Sequence, residues 1–212
     1  MSALLAGATG LIGREIARHW TGPGPLHLLV RRPTAPAQPL HLVHTVNYAD
    51  LAALPQATQA FCCLGTTIQQ AGSKEAFRAV DHGTVLAFAR AAQRAGVDRF
   101  AVVSALGANP RSATFYNRVK GEMEAGLQAL GFASLVIARP SLLTGDRDSL
   151  GQPARPGERL ALALTAPFQQ YLPLAWRPIA AATVARALMR ALSRPEPGVC
   201  ILESAALQEL GA

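Results

Sequence analysis

The chain has 212 residues, of which 50% are apolar and 16% are charged. This composition excludes a disordered chain and supplies enough apolar side chains for one buried core, so we expect a single domain over residues 1–212. The net charge of +7 is spread over scattered arginines, without the run of basic residues that is typical of a nucleic-acid-binding arm. We therefore expect no nucleic-acid partner.

The cysteines and the N-terminus indicate the compartment. Cys62, Cys63 and Cys200 have neither disulfide-framework nor metal-site spacing, so we expect reduced thiols and no bound metal. The N-terminus lacks the basic start and long apolar core of a signal peptide. The uncharged run between Arg159 and Arg177 is interrupted by prolines and is too short to span a membrane. These features predict a soluble, cytoplasmic protein without a membrane partner.

Seven short apolar segments are predicted to be β-strands. Most are continuously apolar, which is typical of parallel strands that are covered by helices on both faces. The pattern predicts an α/β fold with a doubly wound, Rossmann-type parallel sheet and a small C-terminal helical cap over the substrate. The predicted strands are residues 3–6, 26–30, 41–46, 60–64, 99–103, 134–138 and 199–202.

Three longer helices are predicted between these strands. Residues 75–95 carry apolar side chains every three or four positions and are followed by Gly96. A second helix covers residues 116–130, and a third begins at Pro178 and ends before Pro195. Residues 160–176 are interpreted either as an apolar lid over the site or as a plain packed helix and loop.

A glycine-rich turn, GATGLIG, follows the first predicted strand. Gly7, Gly10 and Gly13 allow a tight turn, close approach of a diphosphate and close packing of the next helix on the strand. The N–H groups at the start of that helix attract the diphosphate. The spacing alone is weak evidence, but its place after a first strand predicts a dinucleotide site. The alternative is a glycine-rich connection without a ligand.

Arg31 and Arg32 follow the second predicted strand. In dinucleotide-binding folds an acidic residue at this point binds the ribose 2′-hydroxyl, whereas arginine accommodates a 2′-phosphate. The position therefore predicts that the cofactor is NADP(H) rather than NAD(H).

Tyr116 lies four residues before Lys120, one of only two lysines in the chain. On a helix the two side chains share a face, and a nearby cation favours the phenolate form that a general acid or base needs. The alternative is that Tyr116 is an exposed aromatic side chain beside a solvated Lys120 amine, without a catalytic role. Ser104, which ends the fifth predicted strand, is a candidate to hydrogen-bond a substrate oxygen or, equally, a helix or turn cap.

Taken together, the segments GATGLIG, CCLGTT, VVSALGA and YNRVKGEMEA resemble an atypical short-chain dehydrogenase/reductase of the Tat-interacting-protein type, in the NmrA-like group. The resemblance extends almost end to end. It implies a single Rossmann-type domain that binds NADPH and carries a catalytic set of Ser104, Tyr116 and Lys120.

The resemblance also implies a cofactor site. Its predicted members are Gly7, Thr9, Gly10, Leu11, Ile12 and Gly13 at the diphosphate, Arg31 and Arg32 at the 2′-phosphate, Asn47 and Tyr48 at the adenine, Leu64, Gly65, Thr66 and Thr67 beneath the ribose and nicotinamide, Pro140 and Ser141 opposite them, and Lys120 at the nicotinamide ribose. The chain departs from the family in three places. Asn47 replaces an aspartate, Ala105 replaces a second serine, and Asp81 and His82 occupy the region of the fourth catalytic asparagine.

The predicted function is an NADPH-dependent reductase of a small carbonyl or quinone-like substrate, with Tyr116 as the general acid. One alternative is a non-catalytic NADPH-sensing protein of the NmrA-like type. Another is a nucleotide-sugar epimerase or dehydratase, against which Arg31, Arg32 and the short C-terminal part argue. The sequence leaves open whether the protein is a monomer or a homodimer.

Overall fold

Seven parallel β-strands form the central sheet of the computed structural model, which describes residues 2–51, 53–145 and 172–212. The strands in these ranges are β1 (Ala3–Ala6), β2 (Leu26–Val30), β3 (His41–Thr45), β4 (Gln59–Cys62), β5 (Arg99–Val103), β6 (Ser134–Arg139), β7 (Leu143–Thr144), β8 (Ile179–Ala180) and β9 (Gly198–Glu203). β7 and β8 pair with each other outside the main sheet. All seven predicted strands are confirmed, with ends that shift by at most two residues.

The strand order is β3-β2-β1-β4-β5-β6-β9, and every neighbouring pair is parallel. The chain winds outward from β1 to β3 and then returns to place β4 on the other side of β1. A crevice opens at such a reversal, outside the carboxyl ends of the strands. The predicted doubly wound, Rossmann-type fold is therefore confirmed.

Helices cover both faces of the sheet. In the described residues they are α1 (Leu11–Arg18), α2 (Ile68–Ala71), α3 (Lys74–Arg78), a π-helix (Ala79–Thr84), α4 (Val85–Arg94), α5 (Phe115–Gln128), a 3₁₀ turn (Leu174–Trp176), α6 (Ala181–Ser193) and α7 (Ser204–Gly211). On one face, α1 and α6 bury Ile16 and Leu188 against the sheet. On the other face, α4 and α5 bury Phe88 and Met123. Each such side chain contributes about 1.5–3 kcal/mol relative to an exposed one, so the two layers hold the strand ends in place.

Two helix predictions need correction. The helix predicted over residues 75–95 is divided into α3, the π-helix and α4, because an i→i+5 turn is inserted at Ala79–Thr84. The helix predicted to begin at Pro178 begins at Ala181. Ile179 instead enters β8, where its N–H donates to the Leu142 carbonyl, so the proline precedes a short strand.

Most of the segment interpreted as a lid or as a packed helix and loop, residues 160–176, lies outside the described residues, and only its end at 172–176 is described. Within the described ranges, no helix combines the length and the apolar composition that crossing a bilayer requires. The three cysteines are free thiols. Cys62 packs in the α4 and α5 layer, whereas Cys63 packs against the α1 and α6 layer.

The sheet ends in edge strands with exposed apolar side chains. Leu42 on β3 is 44% exposed, and Val199 and Ile201 on β9 are 48% and 41% exposed. Among the described residues, β3 pairs only with β2, and β9 pairs only with β6.

Candidate active site

The glycine-rich turn joins β1 to α1 and requires glycine at two positions for packing. Gly7 has φ of +83°, and a Cβ on it would lie 2.5 Å from the Cys63 carbonyl oxygen. A Cβ on Gly13 would overlap the Gly7 carbonyl. At Gly10 a Cβ would only touch the Gly7 carbonyl oxygen, at 3.4 Å. The protein's own packing therefore does not account for Gly10, whereas close approach of a diphosphate does.

The N-terminus of α1 fits an anionic group. Gly10 is its N-cap, no side chain caps the helix, and its first turn holds no acidic residue. The first N–H groups of a helix have no partner within the helix and carry its partial positive charge. Gly10, Leu11 and Ile12 also line a cavity. The Gly10 N–H donates to the Gly7 carbonyl at 3.0 Å. The N–H groups of Leu11 and Ile12 at the start of the helix are therefore the donors that face the cavity, as a diphosphate requires.

This cavity has a volume of about 460 Å³ and lies at the carboxyl ends of the central strands. The size lies in the range of small-ligand sites. It brings together twelve of the predicted site residues, namely Gly10, Leu11, Ile12, Leu64, Gly65, Thr66, Thr67, Ser104, Tyr116, Lys120, Pro140 and Ser141. Most of the residues that sequence patterns and family resemblance placed at the cofactor and the substrate therefore share one cavity.

Tyr116 and Lys120 project from the first two turns of α5. The Tyr116 ring packs beside the buried Phe77 ring of α3, with the centroids 5.3 Å apart. Both side chains line the cavity, as the i, i+4 spacing predicts. The aromatic contact orients the phenol, so the position of α3 contributes to the site.

Lys120 is only 4% exposed and forms an ion pair with Asp81 of the π-helix, with 2.7 Å between Nζ and Oδ1. Burial lowers the pKa of Lys120, but the charges of Asp81 and Tyr116 more than offset this effect, so the pKa is raised. The Thr66 N–H donates to the other oxygen of Asp81 at 2.8 Å. The family resemblance placed Asp81 in the region of the fourth catalytic asparagine but gave it no role of its own. The sequence did contain a signal that Asp81 is buried, because Asp81 follows the buried Phe77 by four residues and shares its helix face.

Ser104 is buried directly after β5, and its hydroxyl donates to Glu124 of α5 at 2.5 Å. Glu124 also accepts two bonds from Arg139, from Nε at 3.0 Å and from Nη2 at 2.6 Å. The Arg139 guanidinium can only donate, so both Glu124 oxygens act as acceptors and the Ser104 hydroxyl is the donor. The structure thus commits the Ser104 proton to Glu124 instead of a substrate oxygen. Glu124 was not predicted, although it follows Lys120 by one helical turn.

The other predicted cofactor residues lie outside this cavity. Gly7 and Gly13 are packed under the turn, and Thr9 lines a neighbouring cavity of about 630 Å³ beside α1. Arg31 and Arg32 are exposed at the carboxyl end of β2. Neither residue lines this cavity or the neighbouring one.

Asn47 and Tyr48 are engaged in local structure. The Asn47 side chain accepts the Ala49 N–H at 3.0 Å, and the Tyr48 hydroxyl donates to the Leu29 carbonyl at 2.9 Å. Burial is the main cause that raises the pKa of the Tyr48 phenol. The tyrosine therefore fastens the loop after β3 to β2, and the structure does not bring either residue into the cavity of Tyr116.

Among the described side chains, no group of three or more His, Cys, Asp and Glu residues is arranged to hold a metal ion. The charged groups at the cavity are instead paired with each other, as Lys120 is with Asp81.

Comparison with known protein families agrees with this geometry. A family model described as NAD(P)H-binding matches residues 7–195. The chain is 37% identical over 155 residues to Protein FMP52, mitochondrial, from Eremothecium gossypii, covering 70% of this chain and 69% of that protein. It is 39% identical over 155 residues to Protein HTATIP2 from Rattus norvegicus, covering 71% of this chain and 60% of that protein.

Solved structures show the same fold. MoeE5 in complex with UDP-glucose and NAD has a TM-score of 0.72 at 19% identity, covering 95% of this chain and 75% of that one. The human epimerase family protein SDR39U1 with NADPH has a TM-score of 0.65 at 19% identity, covering 99% of this chain and 77% of that one. At this identity the similarity concerns the fold alone.

The prediction of a cytoplasmic protein is contradicted by the names of the relatives. FMP52 proteins from Eremothecium gossypii, Debaryomyces hansenii and Scheffersomyces stipitis are all named mitochondrial. The prediction depended on reduced thiols and on an N-terminus without a recognisable signal. Neither feature distinguishes the cytosol from other reducing compartments.

The family match over most of the chain, the FMP52 and HTATIP2 relatives and the shared fold agree with the glycine turn and the Tyr116 and Lys120 pair. The chain belongs to the NAD(P)H-binding family, as an atypical short-chain dehydrogenase/reductase with a Rossmann-type fold.

Proposed function

We propose that the protein is an NADPH-dependent oxidoreductase that reduces a small carbonyl or quinone-like compound. One observation carries the proposal. A single cavity of about 460 Å³ contains the Tyr116 phenol, the Lys120 ammonium and the uncapped start of α1. A proton donor, a cation and a diphosphate-binding turn at the same strand ends are what reduction by a dinucleotide requires.

The cofactor would be held by two parts of the cavity. The N–H groups of Leu11 and Ile12 bind the diphosphate, which lies close to the backbone of Gly10, and the loop at residues 64–67 lies under the ribose and nicotinamide. When bound, NADPH supplies the hydride. Lys120, which carries a positive charge at neutral pH, donates hydrogen bonds to ribose hydroxyls.

Tyr116 supplies the proton that the substrate oxygen gains. The phenol lines the cavity, and its ring is fixed against Phe77. A positioned general acid of this kind contributes about 10²–10⁴-fold to the rate. Because the Ser104 proton is bonded to Glu124, Tyr116 is the hydroxyl of this set that is free to donate.

The preference for NADPH over NADH is part of the proposal. It is supported by Arg31 and Arg32 at the carboxyl end of β2, where no acidic residue follows the strand. An arginine pair there provides planar donors for a 2′-phosphate.

The variant Tyr116→Phe tests the catalytic assignment. We expect turnover in an NADPH-oxidation assay with a panel of quinones and small carbonyls to fall by at least about 100-fold, because the proton donor is lost. The dissociation constant for NADPH, measured by fluorescence, should stay within about two-fold of the wild-type value. Tyr48→Phe is the matched control, since its hydroxyl binds the Leu29 carbonyl outside the cavity. Undiminished turnover in Tyr116→Phe would remove this residue from the mechanism.

A second candidate function is NADPH sensing without turnover. The observation that favours it is that two predicted catalytic groups are bound to carboxylates, Lys120 to Asp81 and Ser104 to Glu124. The same NADPH-oxidation panel separates the two functions. NADPH binding without consumption of NADPH above background by any compound would favour the sensor.

A further inference from the structure

Asp81 is a fully buried carboxylate, with 0% exposure, in the π-helix between α3 and α4. The proposed reduction gives it no part. A carboxylate without compensating partners is strongly disfavoured in a protein interior, so its burial needs an explanation. The explanation lies in what its two oxygens contact.

Each oxygen of Asp81 is directed at a different part of the site. Oδ1 lies 2.7 Å from the Lys120 Nζ on α5. Oδ2 accepts the Thr66 N–H at 2.8 Å from the loop after β4. The Asp81 carboxylate therefore connects α5 to the loop at residues 64–67, on which the cofactor would lie.

The backbone of Gly65 lies directly against this ion pair. A Cβ on Gly65 would be 3.4 Å from the Asp81 Oδ1 and 3.8 Å from the Lys120 Nζ. The loop at residues 64–67 is therefore held by one hydrogen bond and by close contact with both charges. A displacement of the carboxylate would shift the loop and the ammonium together.

The charge of Lys120 depends on its surroundings. The groups that act on it are Asp81 from the π-helix, Tyr116 from its own helix and Cys62 from β4. Burial alone would favour a neutral amine, whereas Asp81 is the largest influence that favours the ammonium. Cys62 is itself buried, and burial is the main cause that raises the pKa of its thiol, to about 12, so this thiol is neutral at physiological pH.

The π-helix supplies the position. π turns occur as short insertions in α-helices and are frequent at functional sites. Here the insertion lies between α3, which orients Tyr116 through Phe77, and α4, which packs in the core. It directs Asp81 inward, while Gly83 in the same turn is exposed.

We propose that Asp81 is a positioning residue whose buried carboxylate fixes the Lys120 ammonium and the loop at residues 64–67 relative to each other, and keeps Lys120 charged for the ribose of a bound dinucleotide. This inference rests on the proposed function, which gives Lys120 its ligand. Asp81 acts through Lys120 and Thr66 and does not itself contact the substrate or the cofactor.

NMR of lysine labelled with ¹³C at Cε tests the charge-holding role. The chain has only two lysines, of which Lys74 is exposed and Lys120 is buried, so the two signals can be assigned by substitution of Lys74. In the wild type, the Lys120 signal should titrate above the ordinary lysine value of 10.5. In Asp81→Asn, which keeps the shape and an acceptor for the Thr66 N–H, it should titrate at least about one pH unit lower than in the wild type. The Lys74 signal should not change between the two proteins.

The affinity for NADPH gives a second readout, by fluorescence titration between about pH 6 and pH 9. Lys120 with a lowered pKa loses its proton as the pH rises, so the ratio of the NADPH dissociation constants of Asp81→Asn and the wild type should increase toward the alkaline end. Asp81→Glu, which restores the carboxylate, should recover part of the affinity. A merely structural role would weaken binding equally at every pH.

Two results would overturn the proposal. One is a Lys120 signal that titrates at the same pH in wild type and in folded Asp81→Asn. The other, which needs no variant to fold, is a wild-type Lys120 signal that titrates below 10.5. The NMR titration uses neither NADPH nor substrate, so it remains interpretable if Tyr116→Phe shows that the proposed reduction is wrong.

Discussion

Arg31 and Arg32 are the residues to which the proposed preference for NADPH over NADH is assigned, because they are exposed cations at the carboxyl end of β2. A bound 2′-phosphate would carry charge that these guanidinium groups neutralise, and NADH has no such phosphate. The two side chains should therefore act on one nucleotide and leave the other unaffected.

The double variant Arg31→Ala/Arg32→Ala should raise the dissociation constant for NADPH by about ten-fold or more, and leave that for NADH within about two-fold of the wild-type value. Fluorescence titration with both nucleotides measures this. Arg90→Ala, an exposed arginine on α4, is the control for loss of general positive charge. An equal loss of affinity for NADPH and NADH would contradict the assignment.

The site residues that could be predicted are those whose relation is local in the chain. Tyr116 and Lys120 are four residues apart on one helix, and Gly10 lies in the short turn between β1 and α1, so local spacing and position place them. Asp81 and Glu124 were not given roles because their partners come from other elements. An ion pair across elements depends on packing, which one sequence does not reveal.

Among the elements, the π-helix is a feature that the periodicity of apolar residues does not predict. Apolar side chains from Phe77 to Phe88 recur at helical spacing, so residues 75–95 were predicted as one helix. A π turn inserts one residue into a turn and changes the phase only locally. The pattern on either side still fits an α-helix, and the insertion leaves no separate signature.

The junction of β1 and α1 gives a test at this scale. Gly13→Ala would place a Cβ on the Gly7 carbonyl, and backbone on both sides prevents easy relief. We expect the free energy of unfolding to fall by at least about 2 kcal/mol, measured by urea denaturation.

Gly83→Ala is the matched control for this substitution, since a Cβ there meets nothing within 4 Å and the backbone is not left-handed. It should change the stability by less than about 1 kcal/mol. A Gly13→Ala protein as stable as the wild type would show that α1 does not need to pack so closely on the turn.

For the whole molecule, continuous apolar runs and the helices between them were enough to predict the parallel sheet and its winding. The seven strands were located because strands buried on both faces are mostly apolar, as β1 is throughout and β2 is at four of its five positions. The small β7 and β8 pair was not predicted, since two-residue strands carry no periodicity. Its pairing joins residues 36 positions apart and becomes visible only in the folded chain.

Arg139 lies on β6 and connects this strand to two other elements. Its guanidinium binds Glu124 of α5 and Glu203 of β9. The two carboxylates differ in environment, since Glu124 is 3% exposed at its side chain and Glu203 is 48% exposed. They therefore form a natural pair for comparison.

Glu124→Gln should lower the free energy of unfolding by about 3 kcal/mol, because it breaks a buried charge pair and weakens the acceptor of the Ser104 hydroxyl. Glu203→Gln should cost less than about 1 kcal/mol, as exposed pairs do. Urea denaturation of both variants measures the difference. Equal losses would mean that the exposed ion pair of Arg139 with Glu203 stabilises the protein as much as its buried ion pair with Glu124.

The rims of the sheet have a consequence for the behaviour of the protein in concentrated solution. Strands β3 and β9 contain neither lysine nor proline, the residues that often prevent strand addition at an edge, and both expose apolar side chains. Backbone N–H and C=O groups along such an edge strand can pair with an edge strand of another molecule. Self-association through these edge strands is therefore expected to increase as the preparation is concentrated.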